Sequence, residues 1–173
     1  MRSFLKNQGR LKTYIFIILF LILAALVLQS FLPKESRSGE SLKKDDFTVL
    51  LNNGEKVSLV LEIADTLEKR NIGLMNRKDL EDGLDGMIFV FSDDVQSGFW
   101  MKDTYIPLSI AFINKEGIIQ EIMRMEPLLV EDETGSPLLY FPKDTYRFAL
   151  EVKQGFFVEN NIKIGDRLLG LQR

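Results

Sequence analysis

The distribution of apolar residues divides the chain into two unequal parts. From residue 14 to residue 28 the sequence reads YIFIILFLILAALVL, and neither this run nor its extension to residues 13–32 contains a charged side chain. A helix of about 20 residues is about 30 Å long, which matches the hydrocarbon core of a bilayer. Since a water-soluble helix needs a polar face, the pattern predicts one N-terminal transmembrane helix over residues 13–32.

The residues beside this segment indicate how it is used. Residues 1–12 carry Arg2, Lys6, Arg10 and Lys12, a basic segment that is typical of both a signal peptide and a retained anchor. A cleavage site needs small residues after the apolar run, but the best candidate there begins with a leucine, which favours the anchor over cleavage. The basic flank predicts a cytoplasmic N-terminus and an extracytoplasmic C-terminal domain.

Alternation replaces continuous hydrophobicity in the second part of the chain. Residues 33–45 are polar and contain proline, glycine and serine, which is typical of a tether, and residues 46–173 are predicted as a domain. Within it, apolar and alternating runs predict strands over residues 47–51, 57–62, 87–91, 99–101, 108–113, 118–125 and 146–152. The last apolar run, 162–169, contains Gly165-Asp166 as a turn.

Turn and capping residues connect these strands. The sequences Asn52-Asn53-Gly54 and Asn114-Lys115-Glu116-Gly117 are typical of hairpin turns. Asp65 followed by Glu68 predicts the start of a short helix that Gly73 ends. The pattern as a whole predicts a β-rich α+β domain, a small barrel- or sandwich-like mixed sheet with one or two short helices.

Composition removes several classes of chemistry. The chain contains no histidine and no cysteine, so it can form neither a histidine-based triad, a thiolate nucleophile nor a disulfide, and the usual zinc ligands are missing. A net charge of −3 gives no basic field for nucleic acid. Five methionines supply the thioether type of copper ligand, but methionine also fills irregular cores and no histidine is present to assist it. The acidic runs 93–94 and 131–133 lack the spacing of an EF-hand calcium site. No metal or cofactor is therefore expected.

Three sequence blocks resemble one known family. Residues 70–91 (RNIGLMNRKDLEDGLDGMIFVF), 99–119 (FWMKDTYIPLSIAFINKEGII) and 146–168 (YRFALEVKQGFFVENNIKIGDRL) are similar to the domain of unknown function 192, also called uncharacterised protein family 0127. The resemblance covers residues 47–170 and implies a compact β-rich domain, often preceded by a signal or anchor. It implies no particular activity.

Individual positions of the chain both match and depart from the family pattern. The matching positions are Arg70, Gly73-Leu74-Met75, Arg77, Gly86-Met87, Leu150-Glu151 and Gly155. The chain has Asp103 where the family typically has asparagine, and Ser109 where it typically has aspartate. If the family uses that second carboxylate for chemistry, this member has lost it.

The candidate site combines the charged positions of these blocks with the single tryptophan. Its members are Arg70, Arg77, Trp100, Lys102, Asp103, Thr104 and Glu151. One interpretation is a pocket that binds an anionic or amide-bearing ligand through arginine. The alternatives are a network of structural ion pairs, a tryptophan that covers a neighbouring strand, and a turn capped by Asp103 and Thr104.

The predicted function is that of a membrane-anchored extracytoplasmic binding or accessory module of the cell envelope. Its expected partners are the bilayer, through residues 13–32, and an envelope ligand or protein, with no nucleic acid. The alternative is a hydrolase or transferase that acts on envelope material with Lys102, Asp103, Glu151 and Arg70. A third possibility is a domain that docks another membrane protein through an apolar surface.

Overall fold

The computed structural model of the chain describes residues 42–127 and 138–171. The predicted transmembrane segment at 13–32 and most of the predicted tether lie outside these residues. Within the described ranges, no helix is long and apolar enough to span a membrane. The described residues belong to one compact unit.

The described residues form nine strands and two short helices. In chain order they are β1 Lys44–Leu50, β2 Lys56–Ala64, α1 Leu67–Ile72, β3 Gly86–Val95, β4 Phe99–Trp100, β5 Leu108–Ile113, β6 Ile119–Met125, β7 Leu139–Tyr140, β8 Tyr146–Lys153, α2 Phe156–Glu159 and β9 Arg167–Leu169. Seven strands make one sheet in the order β6-β5-β8-β3-β2-β1-β9, and β4 pairs with β7 separately. The prediction of a β-rich domain with short helices is confirmed.

The seven-stranded sheet curls into a half-barrel. All its neighbouring strands are antiparallel except β2 and β3, which are parallel. The two edges of the sheet approach each other at one end, where Ile118 forms a bridge with Arg167 and the amide of Leu168 donates to the carbonyl of Gly117 at 2.8 Å. A side chain at Gly117 would collide with the carbonyl of Leu168, at 2.5 Å, so glycine permits this approach.

Two hydrophobic cores lie on the opposite faces of the sheet. The first includes Leu61, Ile88 and Leu150, and the second includes Met87 and Phe89 beneath the segment that carries α1. Consecutive residues of a strand point to opposite faces. Residues 86–89 of β3 and 148–152 of β8 are buried on whichever face they lie, as is typical of central strands.

Local differences from the predicted elements have identifiable causes. Both hairpins form, with Gly54 and Gly117 at positive φ. The cap of α1 is Thr66, whose hydroxyl accepts from the amide of Lys69 at 3.2 Å, rather than Asp65, which forms an ion pair with Lys69. The first strand begins at Lys44, inside the segment predicted as a tether. Strand β7 lies between the predicted strands 118–125 and 146–152, and α2 lies between the predicted strand 146–152 and the last apolar run, two places where the sequence predicts no element.

Candidate functional site

A cleft of about 360 Å³ opens on the face of the sheet that carries the second core. It lies between α1, the loop before β4, strands β4 and β7, and the sheet strands β3 and β8. Its walls are formed by Leu67, Arg70, Asn71, Ile72, Gly73, Leu74, Met75, Phe89, Phe91, Ser97, Gly98, Phe99, Trp100, Thr104, Leu139 and Glu151. The walls are mostly apolar and aromatic with a few polar groups, which is typical of small-molecule sites.

Glu151 is the buried acid of this cleft. It lies on β8 opposite Met87 of β3 and Ile110 of β5, and 4% of its surface is exposed. Burial raises the pKa of its carboxyl to about 8. Its side chain lines the cleft and has no hydrogen bond or ion pair with the other described residues. With a pKa of about 8, the carboxyl is protonated near neutral pH.

A glycine fixes the backbone beneath Glu151. Gly86 begins β3 next to β8, and a Cβ atom at this position would lie 2.0 Å from the carbonyl oxygen of Glu151. No side chain can be accommodated at that distance, because the obstacle is backbone. The Gly86-Met87 pair of the sequence therefore permits the close pairing of β3 with β8 at the base of the cleft.

Arg70 closes one side of the cleft from α1. Its Nη1 donates to the carbonyls of Asp65, at 3.0 Å, and Val90, at 2.7 Å, and its guanidinium lies 4.8 Å from the centre of the Phe91 ring. These contacts fix the planar group against the sheet. In the described part of the chain Nε and Nη2 have no acceptor, so they remain as donors for a ligand.

Trp100 forms part of the rim. Its neighbours Phe99 and Met101 turn towards the core, whereas Trp100 is 41% exposed and lies beside the exposed Lys102. The Nζ atom of Lys102 is 5.5 Å from the centre of the indole ring, within the range of a cation–π contact. This is the alternation predicted from the sequence. Lys102 itself does not line the cleft.

The turn after β4 places Thr104 in the cleft wall and Asp103 outside it. The hydroxyl of Thr104 donates to the carbonyl of Lys102 at 3.1 Å, and the amide of Asn76 donates to the carbonyl of Asp103 at 2.6 Å. Asp103 adopts a φ of 51°. Its contribution to the turn is therefore a left-handed backbone conformation and not the side-chain cap that the sequence suggested. Aspartate and asparagine tolerate this conformation better than most residues.

Arg77 lies apart from the cleft. Its Nη2 is 2.7 Å from Oε2 of Glu62, a buried carboxylate on β2 that faces the same side of the sheet as Glu151, with Met87 between them. At this distance the two side chains form an ion pair, but Oε2 of Glu62 accepts no hydrogen bond. For Arg77 the ion-pair interpretation is the one that the geometry supports.

The structure thus brings together four of the seven candidate residues. Arg70, Trp100, Thr104 and Glu151 line the cleft, while Arg77, Lys102 and Asp103 do not. Sequence reasoning missed Ser97, Gly98 and Leu139, which also line it. Ser97-Gly98 precedes the Phe-Trp motif directly, so proximity in sequence could have indicated those two. Leu139 gave no such signal, because β7 is two residues long and pairs with a distant strand.

No metal-binding cluster occurs in the part of the chain that the structure describes: no three acidic side chains converge there. Asp93 and Asp94 lie in the exposed end of β3, where Asp94 pairs with Arg147. The acidic run 131–133 lies outside the described residues.

Known proteins resemble this chain at the level of family and fold. The model of the DUF192 family, described as "Uncharacterized ACR", matches residues 48–170. No curated protein shows significant similarity. A crystal structure from Sinorhizobium meliloti, described as that of a proposed transcription regulator, is 27% identical with a TM-score of 0.65, over 74% of this chain and 94% of that one. A protein of unknown function from Novosphingobium aromaticivorans is 26% identical with a TM-score of 0.64, over 76% and 88%.

Proposed function

This chain belongs to the DUF192 family, and we propose that it is a membrane-anchored extracytoplasmic module that binds a small ligand of the cell envelope in the cleft between α1 and β8. The single observation that carries the proposal is the cleft itself. Apolar and aromatic walls surround a fixed arginine and a buried, unpartnered carboxyl, Arg70 and Glu151. A buried carboxyl without a partner is costly to a fold, and a ligand that satisfies it offsets that cost.

The anchoring part of the proposal rests on the sequence. Residues 13–32 have the length and composition of a transmembrane helix, and β1 begins at Lys44. The eleven residues between them, 33–43, reach at most about 40 Å when fully extended. A polar segment of this length is typical of a tether between an anchor and the domain that it carries.

Nucleic acid is not part of this proposal. One relative is described as a proposed transcription regulator, but the net charge of −3 supplies no electrostatic attraction to a phosphate backbone.

The test is a thermal-shift screen of the full-length protein in detergent against peptides, glycans and polar lipid headgroups. Asn71, an exposed residue of the cleft wall, allows a matched control. Asn71→Phe should fill the cleft and abolish the shift of any true ligand, whereas Asn71→Ala should retain it. Shifts that persist in Asn71→Phe, or no shift from any class, would contradict the proposal.

One observation favours a second candidate, an enzyme of the hydrolase or transferase class. A buried carboxyl, that of Glu151, lines the cleft, and burial raises its pKa to about 8, in the direction that a general acid requires. Lys102 does not line the cleft, so the combination of lysine and carboxylate suggested by the sequence is not formed there. Turnover of an envelope fragment that disappears in Glu151→Gln would favour this candidate over a binding module.

A further inference from the structure

The ionisable side chains that line the cleft among the described residues are one arginine and one glutamic acid, and they do not pair with each other. Arg70 uses only Nη1, for two backbone carbonyls, and Glu151 forms no ion pair or side-chain hydrogen bond within the described residues. A guanidinium and a carboxyl group in the same cleft normally form a hydrogen-bonded pair when they are close enough. Their separation therefore leaves room for a ligand that contacts both.

The sheet register indicates the size of this gap. Arg70 is held at the carbonyl of Val90, while Glu151 lies opposite Met87 on the same strand, β3. Three residues of a strand span about 10 Å. Because the guanidinium of Arg70 is itself bound at the Val90 end, only the side chain of Glu151 can shorten this separation, and the remaining gap suits two ligand groups that are several bonds apart.

Aromatic side chains form a large part of the cleft wall. Phe89, Phe91, Phe99 and Trp100 all line the cleft. Aromatic faces attract an ammonium group, and their apolar surfaces accept a methylene chain. A single anion would satisfy Arg70 and leave the carboxyl of Glu151 without a partner, whereas a single cation would leave the free donors of Arg70 unused.

We infer that the cleft binds a zwitterion whose anionic group accepts from Arg70, whose ammonium group contacts Glu151, and whose connecting chain packs against the aromatic wall. This inference rests on the proposed function and specifies its ligand class. Two sources carry this chemistry: an amino acid with its charges separated along the chain, and the phosphoethanolamine of a lipid or glycan headgroup.

The pH dependence of the binding affinity is a second test of the inference. Burial raises the pKa of Glu151 to about 8 in the empty cleft, so contact with an ammonium group displaces a proton to solvent. The side chains next to Glu151 on the adjacent strands are Met87 and Ile110, and the Glu62–Arg77 ion pair lies beyond Met87. Arg70 lines the same cleft from α1. Affinity should therefore rise as pH increases towards 8, up to tenfold per pH unit.

The experiment is calorimetric titration of the full-length protein in detergent with a series of defined length: glycine, 4-aminobutanoate and 6-aminohexanoate, with phosphoethanolamine as a separate arm. Butylamine and butyrate supply each charge alone. At least one zwitterion should bind ten or more times as tightly as either singly charged compound. Preference for the amino acids or for phosphoethanolamine then identifies the source.

Matched variants locate the binding. Arg70→Gln and Glu151→Gln should each lower the affinity at least tenfold. Arg147, which also donates to a carbonyl of β3, and Glu62, a buried carboxylate on the same face, lie outside the cleft. Arg147→Gln and Glu62→Gln should therefore bind as the parent protein does. Because Arg70→Gln removes contacts that hold α1, its unfolding temperature is measured in parallel. If Arg70→Gln does not fold, the inference is tested by the comparison of zwitterions with singly charged compounds on the parent protein.

Equal binding of the zwitterions and the singly charged compounds, affinity that falls with pH, or loss of binding in Glu62→Gln as well as Glu151→Gln would overturn the inference. If no zwitterion binds while a neutral glycan or peptide stabilises the parent protein but not Asn71→Phe, the inference fails and the proposed function stands. If nothing binds, both fail.

Discussion

At the scale of single residues, Glu151 determines the chemistry of the cleft because its carboxyl is buried without an opposing charge. Its pKa of about 8 lies above the ordinary value of 4.5, so the folded state binds a proton that the unfolded state releases between these pH values. Stability from this group is complete below about pH 4.5 and is lost as pH rises through about 8. At about 1.4 kcal/mol per pH unit, the loss approaches 5 kcal/mol.

Urea unfolding of the parent protein and of Glu151→Gln between pH 5 and pH 8 checks this expectation. The parent should lose stability relative to the variant as pH rises, because glutamine does not titrate. Phe148→Leu, a substitution in the first core that changes no titratable group, is the control and should keep the slope of the parent. Parallel curves for the parent and Glu151→Gln would show that the carboxyl is already ionised in the folded state.

Asp103 illustrates how a residue can be constrained by its backbone alone. Its φ of 51° is in the left-handed region, where β-branched side chains are strained by about 1–2 kcal/mol. Asp103→Asn and Asp103→Gly should therefore leave the free energy of unfolding almost unchanged, while Asp103→Val should lower it by about that amount. Chemical denaturation measures all three. An Asp103→Asn protein that is fully stable but has lost ligand binding or activity would assign a chemical role to the carboxylate.

At the scale of secondary-structure elements, β8 connects the core to the cleft. Phe148 is 5% exposed and packs in the first core, three residues before Glu151. Phe148→Ala should open a cavity and cost about 3–5 kcal/mol. Guanidinium unfolding gives the value, with Phe148→Leu as a milder replacement. A cost below about 1 kcal/mol would mean that the strand has another register.

How far the sequence predicts these elements depends on the range of the contacts involved. Alternation and turn residues located most strands and both hairpins, because their signals are local. The parallel pairing of β2 with β3, the two-residue strand β7 and the pairing of Arg77 with Glu62 join residues far apart along the chain, and no local pattern encodes them. Arg70 and Glu151 were found through the family resemblance, but their approach to one cleft depends on the register of β3 and β8.

At the scale of the whole molecule, the proposal joins a bilayer anchor to a binding domain. The full-length chain should sediment with membranes, resist extraction by alkaline carbonate and keep its original N-terminus in an intact-mass measurement. A version that begins at Leu42 should remain in the supernatant if it is expressed in folded form. A mature mass that corresponds to a start near residue 31 would show instead that the segment is a cleaved signal peptide.

The central claim is that a ligand occupies the cleft beside Arg70 and Glu151, and Trp100 tests it directly as the only tryptophan of the chain and a partly exposed member of the rim. The measurement is quenching of its fluorescence by acrylamide in the full-length protein, with and without the tightest-binding compound. Occupation of the cleft should shield the indole and shift its emission to shorter wavelength, with no such change in Asn71→Phe. Unchanged quenching in a protein that demonstrably binds the compound would place the ligand elsewhere and contradict the claim.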